Sequence, residues 1–271
     1  MPQVFLKAQN SSKKAAKNCE FKEICFRIFC LNKKGEKNMK TTFLATNDFT
    51  GISFWVISMA MLAATVFFFV ERNSVKASWR TSVTLMGLVC GIAFVHYMYM
   101  RNVWVTTGAT PTVYRYVDWL LTVPLQMLEF YFILSAVRKV PTGIFWRLLI
   151  GTVVMLAAGY LGEAGMINPT AGFVVGMAGW IYILYEIFAG EAGTIASKMR
   201  GPGAEAFNFC KWVVTIGWAI YPLGYLFGYL MGNVDEITLN IVYNLADFLN
   251  KIGFGLVIYA AAKAMTPASQ R

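Results

Sequence analysis

Two ionisable residues, Asp247 and Lys251, sit four positions apart inside the last long apolar stretch of this chain of 271 residues. Lys251 lies about 20 Å of helix from Ile237 and about 17 Å from Ala262, too far for its stem to carry the ammonium out to water. Holding that charge inside an apolar slab costs about 2.5–3.5 kcal/mol on insertion scales. Two readings follow. The lysine is neutralised by a buried partner, or it is a covalent site, because a desolvated lysine amine readily forms Schiff bases. Asp247 suits either, as a structural i, i+4 partner or as the counter-charge of a buried cationic nitrogen.

A second constellation lies between Val113 and Val137. On a helix, Arg115, Asp118, Thr122, Gln126 and Glu129 fall within about 80° of one another, a polar stripe down an otherwise apolar cylinder. Asp118 and Glu129 are eleven residues apart, about 16 Å along the axis. Two carboxyls at different depths, with a buried amine between them across a bundle, have the layout of a proton relay, and intramembrane acids are expensive enough to imply function. Interhelical hydrogen bonds that hold a bundle together are the plainer alternative. His96, the only histidine, is either a satisfied core residue or a partner that tunes one of these acids.

The elements that must position these residues are membrane helices. Hydrophobic residues make up 57% of the chain and charged ones 14%, against about a quarter charged in a soluble domain. Seven apolar runs stand out, at Gly51–Val70, Thr81–Met100, Val113–Val137, Phe145–Leu161, Ala171–Ala189, Phe207–Met231 and Ile237–Ala262. Pro124 and Pro222 interrupt two of them, which membrane helices tolerate when neighbours re-satisfy the freed carbonyl. The expected fold is an all-α membrane protein, a bundle of seven transmembrane helices. Arg72, Lys76 and Arg80 in the first loop, Arg138 and Lys139 in the third, and Lys198, Arg200 and Lys211 in the fifth make the odd loops basic, whereas the second carries only Arg101. The positive-inside rule then puts the N-terminus outside and the C-terminus in the cytoplasm.

Residues 1–40 hold nine Lys and one Arg against three Glu, so +7 of the net +10 lies there. The charge belongs to a tail and not to a nucleic-acid-binding face. This tail should resist export, and its most apolar stretch, Phe21 to Leu31, is broken by Lys22, Glu23 and Arg27, unlike a signal peptide. A start of translation at Met39 would remove the conflict. The expected organisation is a disordered extension over 1–45, a seven-helix domain over 46–263 and a short tail over 264–271. Cys19, Cys25, Cys30, Cys90 and Cys210 include no CxxC pair, so neither a disulfide framework nor a metal site is expected.

Trp218, Tyr221, Pro222 and Tyr225 recur at helical spacing, and Trp119 and Trp180 stand in other runs. Such aromatics are ordinary packing residues unless they coincide with a buried lysine, where they suit a rigid slot for a flat polyene. With these residues in hand, the chain resembles the proteorhodopsins over about residues 46–263. The resemblance rests on RYVDWLLTVP (Arg115–Pro124), HYMYMR (His96–Arg101), WAIYPLGY (Trp218–Tyr225), GEAG (Gly162–Gly165) and YNLADFLNK (Tyr243–Lys251).

That resemblance implies all-trans retinal bound as a Schiff base to Lys251, with Asp118 as counterion and proton acceptor and Asp247 as second counterion. Arg115 is then the cation beneath the complex, His96 the partner of Asp118, and Glu129 the cytoplasmic proton donor. Trp119, Thr122, Trp180, Trp218, Tyr221 and Pro222 would contact the chromophore. Gln126 stands at the family's colour-tuning position, where Gln accompanies blue absorption: a polar amide that favours the ground-state charge distribution widens the gap to an excited state in which positive charge has moved along the polyene. The implied activity is light-driven outward proton pumping, not enzyme catalysis, in the inner membrane of a bacterium. Its partners are the lipid bilayer, protons and further copies of the chain in a ring, with Trp55 near His96 of the neighbour. The residue pattern leaves two rivals: a blue-light photosensor acting through a partner, and a non-photochemical receptor or transporter with Lys251 merely salt-bridged.

Overall fold

The structure is a computed structural model that describes residues 43–268; the basic tail, with the candidate start at Met39, lies outside the described residues. Seven helices long and apolar enough to cross a membrane run over Phe49–Ser74, Ala77–Thr107, Thr112–Val137, Gly143–Glu163, Pro169–Ser197, Pro202–Leu230 and Glu236–Ala264, and no strand occurs among the described residues. They are called the first to seventh spans. Each outlasts or matches its apolar core because helix continues into the interfacial residues. Arg101 accordingly lies on the second span and not in the loop after it, and Lys211, counted above with the charges of the fifth loop, lies within the sixth span.

Local chemistry fixes the ends. Asp48 accepts from the amide of Gly51 at 2.9 Å and Asn168 from that of Ala171 at 3.1 Å, with Pro169 in the first turn where its missing N–H costs nothing. Asp235 does the same for Thr238 at 2.9 Å. Gly108, with φ of 71°, closes the second span in a left-handed turn.

Consecutive spans pack side by side from first to fifth, and the seventh closes the bundle against the first and sixth. Without water between helices, close association depends on small residues. The fourth and fifth spans show this: a Cβ on Gly172 would lie 2.8 Å from the Ala158 carbonyl oxygen and from the Gly162 Cα. The third span is the most enclosed, whereas Val66, Ile150, Val174 and Ile181 point outward, as lipid requires.

Pro124 leaves the third span helical throughout. The sixth and seventh spans are not uniform. The sixth widens into π-helical turns at Val213–Gly217 and Tyr225–Leu230, on either side of Pro222, and the seventh at Phe248–Gly253, around Lys251. Such turns alter the backbone register and often mark functional positions.

Candidate functional site

The stripe anticipated on the third span faces inward along its length. Arg115, Asp118, Thr122, Gln126 and Glu129 are all buried. Opposite them, the seventh span presents Lys251, whose Nζ donates to Asp118 Oδ2 at 2.5 Å and to Asp247 Oδ2 at 2.9 Å. The i, i+4 pair of Asp247 and Lys251 therefore closes across the π-helical turn. Tyr97 on the second span and Tyr221 on the sixth donate to the two Asp247 oxygens, at 2.9 and 2.6 Å. Four spans thus converge on one lysine. Breaking a buried pair of this kind leaves an uncompensated charge, so each member depends on the others.

Arg115 completes the charge balance without touching the carboxylates. Its Nη2 donates to Asn240 Oδ1 and Asn244 Oδ1, both at 2.7 Å, and its guanidinium carbon lies 5.2 Å from the centre of the Phe54 ring and 5.4 Å from that of Tyr243. Two cations and two carboxylates then share the buried centre, which sums to zero charge.

His96 approaches Asp118 more loosely. Its Nδ1 stands 3.7 Å from Asp118 Oδ1 but 3.0 Å from the carbonyl of Ile92, and Asp118 Oδ1 has no hydrogen-bond partner among the described residues. Thr122 donates to the backbone carbonyl of Asp118 at 2.9 Å, so it fixes the helix beneath the acid and not the carboxylate itself.

Beside the lysine lies a cavity lined by Trp119, Trp180, Trp218, Tyr221, Pro222 and Gln126, with Lys251 and Asp247 in its wall. Thr122 is not among its lining residues. Trp180 is held by a hydrogen bond of 3.2 Å to the carbonyl of Val214, in the first π-helical turn. Trp119 packs edge-on to Tyr221 at 5.0 Å and to Tyr116 at 5.0 Å. Rigid aromatic walls and one amine among the described lining residues fit a flat apolar aldehyde: such walls could bury a polyene, and Lys251 could hold a carbonyl carbon.

Glu129 is set apart from all of this. It is fully buried, and neither carboxyl oxygen has a hydrogen-bond partner among the described residues. The Ser82 hydroxyl faces it without closing a hydrogen bond, the Cys210 thiol lies nearby, and Phe130 stacks edge-on against Phe207 at 5.0 Å.

Several participants are absent from the sequence reading. Asn240 and Asn244 belong with Asp247 and Lys251, and their spacing of four, three and four residues is a second polar stripe that helical periodicity reveals. Tyr97, and Asn250, whose backbone carbonyl accepts from Gln126 at 2.8 Å, carry no such signal, because neighbouring tyrosines and asparagines look the same in sequence. Trp55, 39% exposed, lies on the outer face with Arg101 over its ring at 5.3 Å.

Comparison with known proteins identifies a family and a fold. Residues 48–265 match the model of a family described as bacteriorhodopsin-like protein. The chain is 53% identical over 221 residues to the blue-light absorbing proteorhodopsin of Gamma-proteobacterium Hot 75m4, covering 81% of this chain and 88% of that protein. Identity and coverage are the same for the green-light absorbing proteorhodopsin of Gamma-proteobacterium EBAC31A08. Among solved structures, the blue light-absorbing proteorhodopsin from Med12 is 52% identical and superposes with a TM-score of 0.70, covering 80% of this chain and 99% of that one.

Proposed function

The chain belongs to the bacteriorhodopsin-like family, and from that premise we propose that it is a light-driven proton pump that exports protons, absorbs blue light and carries all-trans retinal as a Schiff base on Lys251. The observation that carries the reading is the placement of Lys251 between Asp118 and Asp247, with Glu129 isolated further along the same face of the third span. Retinal, when bound, supplies light absorption and a change of shape that alters the direction and proton affinity of the Lys251 nitrogen.

The chain's own residues do the rest. Asp118, in contact with that nitrogen, takes up its proton. Asp247 stays ionised under the hydroxyls of Tyr97 and Tyr221 and keeps the site electrically balanced while Asp118 is neutral. Arg115, braced by Asn240 and Asn244 on the outer side of Asp118, is the fixed positive charge past which the proton from Asp118 leaves to the outside. Glu129 holds a proton in its apolar surroundings and returns one to the Lys251 nitrogen. The aromatic walls exclude water that would short-circuit the two steps. Each exported charge works against about 2.3 kcal/mol per 100 mV of membrane potential, which light absorption must exceed.

In this reading the N-terminus lies outside and the C-terminus in the cytoplasm of a bacterium whose inner membrane holds the protein, and the functional domain is residues 46–263. Copies associate in a ring through the outer face of the first two spans, with Trp55 near His96 of the neighbour. Blue absorption rests on Gln126, since overall identity to the blue- and green-absorbing relatives is equal.

The test is proton movement in illuminated bacterial cells that express the chain with added retinal. External acidification abolished by a protonophore is expected. A coloured, retinal-bound protein with no light-dependent pH change would overturn the pump and favour a photosensor.

A further inference from the structure

Gln126 is not a free amide in the cavity wall. Its Nε2 donates to the backbone carbonyl of Asn250 at 2.8 Å. A carbonyl can only accept, so this bond settles which end of the amide points where: the NH2 is committed to the seventh span, and the oxygen is left for the cavity that Gln126 lines. The accepting carbonyl belongs to the residue just before Lys251, inside the π-helical turn Phe248–Gly253.

What holds that turn in place is the Asn250 side chain. Its Nδ2 donates to the carbonyl of Gly217 at 3.0 Å, in the π-helical turn of the sixth span, and to Tyr221 Oη at 3.3 Å. The approach is close enough to require glycine: a Cβ on Gly217 would run into Asn250 Oδ1 and come within 3.1 Å of its Cγ. Tyr221 in turn donates to Asp247 at 2.6 Å, and Asp247 accepts from Lys251 at 2.9 Å. One asparagine thus joins the two π-helical turns, holds the carbonyl that orients Gln126, and touches the tyrosine that serves the second carboxylate.

We propose that Asn250 is a positioning residue for colour: it orients the Gln126 amide and couples it to the Asp247–Lys251 pair, so that the two side chains set the absorption together and not independently. The inference rests on the retinal-pigment reading above. Its physical basis is that an amide dipole shifts an optical gap according to its direction, and a hydrogen bond to a fixed carbonyl is what gives this one a direction.

The experiment is a double-mutant cycle read as absorption maxima of the retinal-reconstituted full chain: unsubstituted, Gln126→Leu, Asn250→Ala, and both. Asn250→Ala is expected to shift the maximum to the red when Gln126 is present and to shift it much less when residue 126 is Leu. Gly217→Ala, which displaces the Asn250 amide, is expected to repeat that pattern, and Asn250→Ser, which keeps a donor, to restore part of the blue position. Asn250→Ser and Gly217→Ala carry the same cycle should Asn250→Ala yield no pigment. Equal shifts in both backgrounds would overturn the coupling, as would a loss of thermal stability with no change of colour, the mark of a purely structural brace. Failure of the unsubstituted chain to form any pigment is a different result: it overturns the pump reading, and this inference with it.

Discussion

Asp118 and Glu129 stand on one face of one helix, both fully buried, yet their surroundings differ in kind. Around Asp118, the second, third, sixth and seventh spans contribute a lysine, an arginine, two asparagines, two tyrosines and a second carboxylate, and most of their polar atoms are paired. Near Glu129 there are a serine hydroxyl with no hydrogen-bond partner among the described residues and a thiol. An ionised carboxylate beside a cation is well accommodated, whereas one with no cation beside it and no hydrogen bond closed to it pays several kcal/mol that the neutral acid avoids. In the proposed cycle this contrast makes Asp118 the acid that receives a proton and Glu129 the acid that supplies one, separated by about 16 Å of helix. Direction in a pump requires this asymmetry.

The most forceful way to break the comparison is to make the two acids alike. Asp118→Asn leaves Lys251 with Asp247 alone and removes the receiving site. Light-driven acidification in cells should vanish while the pigment remains, its maximum moved to the red by the loss of a negative charge beside the nitrogen. Unchanged transport would refute the assignment of Asp118. Next in size is Glu129→Gln, which should keep the first proton transfer and slow the return of the proton, by about 10²–10⁴-fold if Glu129 is the general acid of that step. Flash photolysis with a pH indicator checks this. A return step of unaltered speed would mean that the dry acid is structural and that water reaches the lysine by another route.

This asymmetry is only half legible in the sequence. The positions of the acids follow from periodicity: the third-span stripe needs only a period of 3.6 residues and the cost of a buried charge to be seen, and every member of it turns inward. Seven spans are equally plain from hydropathy. What surrounds each acid is not, because it depends on which span lies opposite at that depth. Tyr97 and Asn250 sit beside His96 and Lys251 in the chain, but the contacts they make are with Asp247 and Gly217, on other spans or around a distorted turn. The π-helical turns themselves carry no sequence mark beyond the nearby Pro222 in one case. His96 shows the converse: its proximity to Asp118 is as anticipated, but at 3.7 Å, with Nδ1 nearer the Ile92 carbonyl, it shares a field with the acid and not a hydrogen bond.

A smaller effect sharpens the comparison within the well-bonded half. Gln126→Leu removes the one amide between the two acids that reaches the seventh span. The maximum of the pigment should move to the red with transport retained, since neither acid is touched. A green-absorbing maximum at alkaline pH in the unsubstituted chain would instead refute the blue assignment at its root.

The smallest expected effect lies where the well-bonded half is fastened to its loop. Asp235 caps the seventh span, accepting from the Thr238 amide at 2.9 Å and the Thr238 hydroxyl at 2.8 Å. One turn on, Asn240, which bonds Arg115, also donates to Thr110 at 2.9 Å, and Thr110 donates in turn to Glu236 at 2.6 Å. The bonds from Thr238 hold the Asp235 carboxyl below its ordinary range. An acid whose affinity for protons is lower in the folded protein contributes stability above its unfolded value and loses it as pH falls through the folded one. Thermal midpoints of the pigment should therefore decline on acidification, and Asp235→Asn, which keeps a cap acceptor but cannot titrate, should flatten the acid end of that decline slightly. Because the cap is exposed and far from Glu129, the variant should leave the rate of proton return alone. A change in that rate would show that the two halves are mechanically joined through the seventh span, and the contrast between a wired acid and a dry one would then have to be redrawn as a single coupled unit.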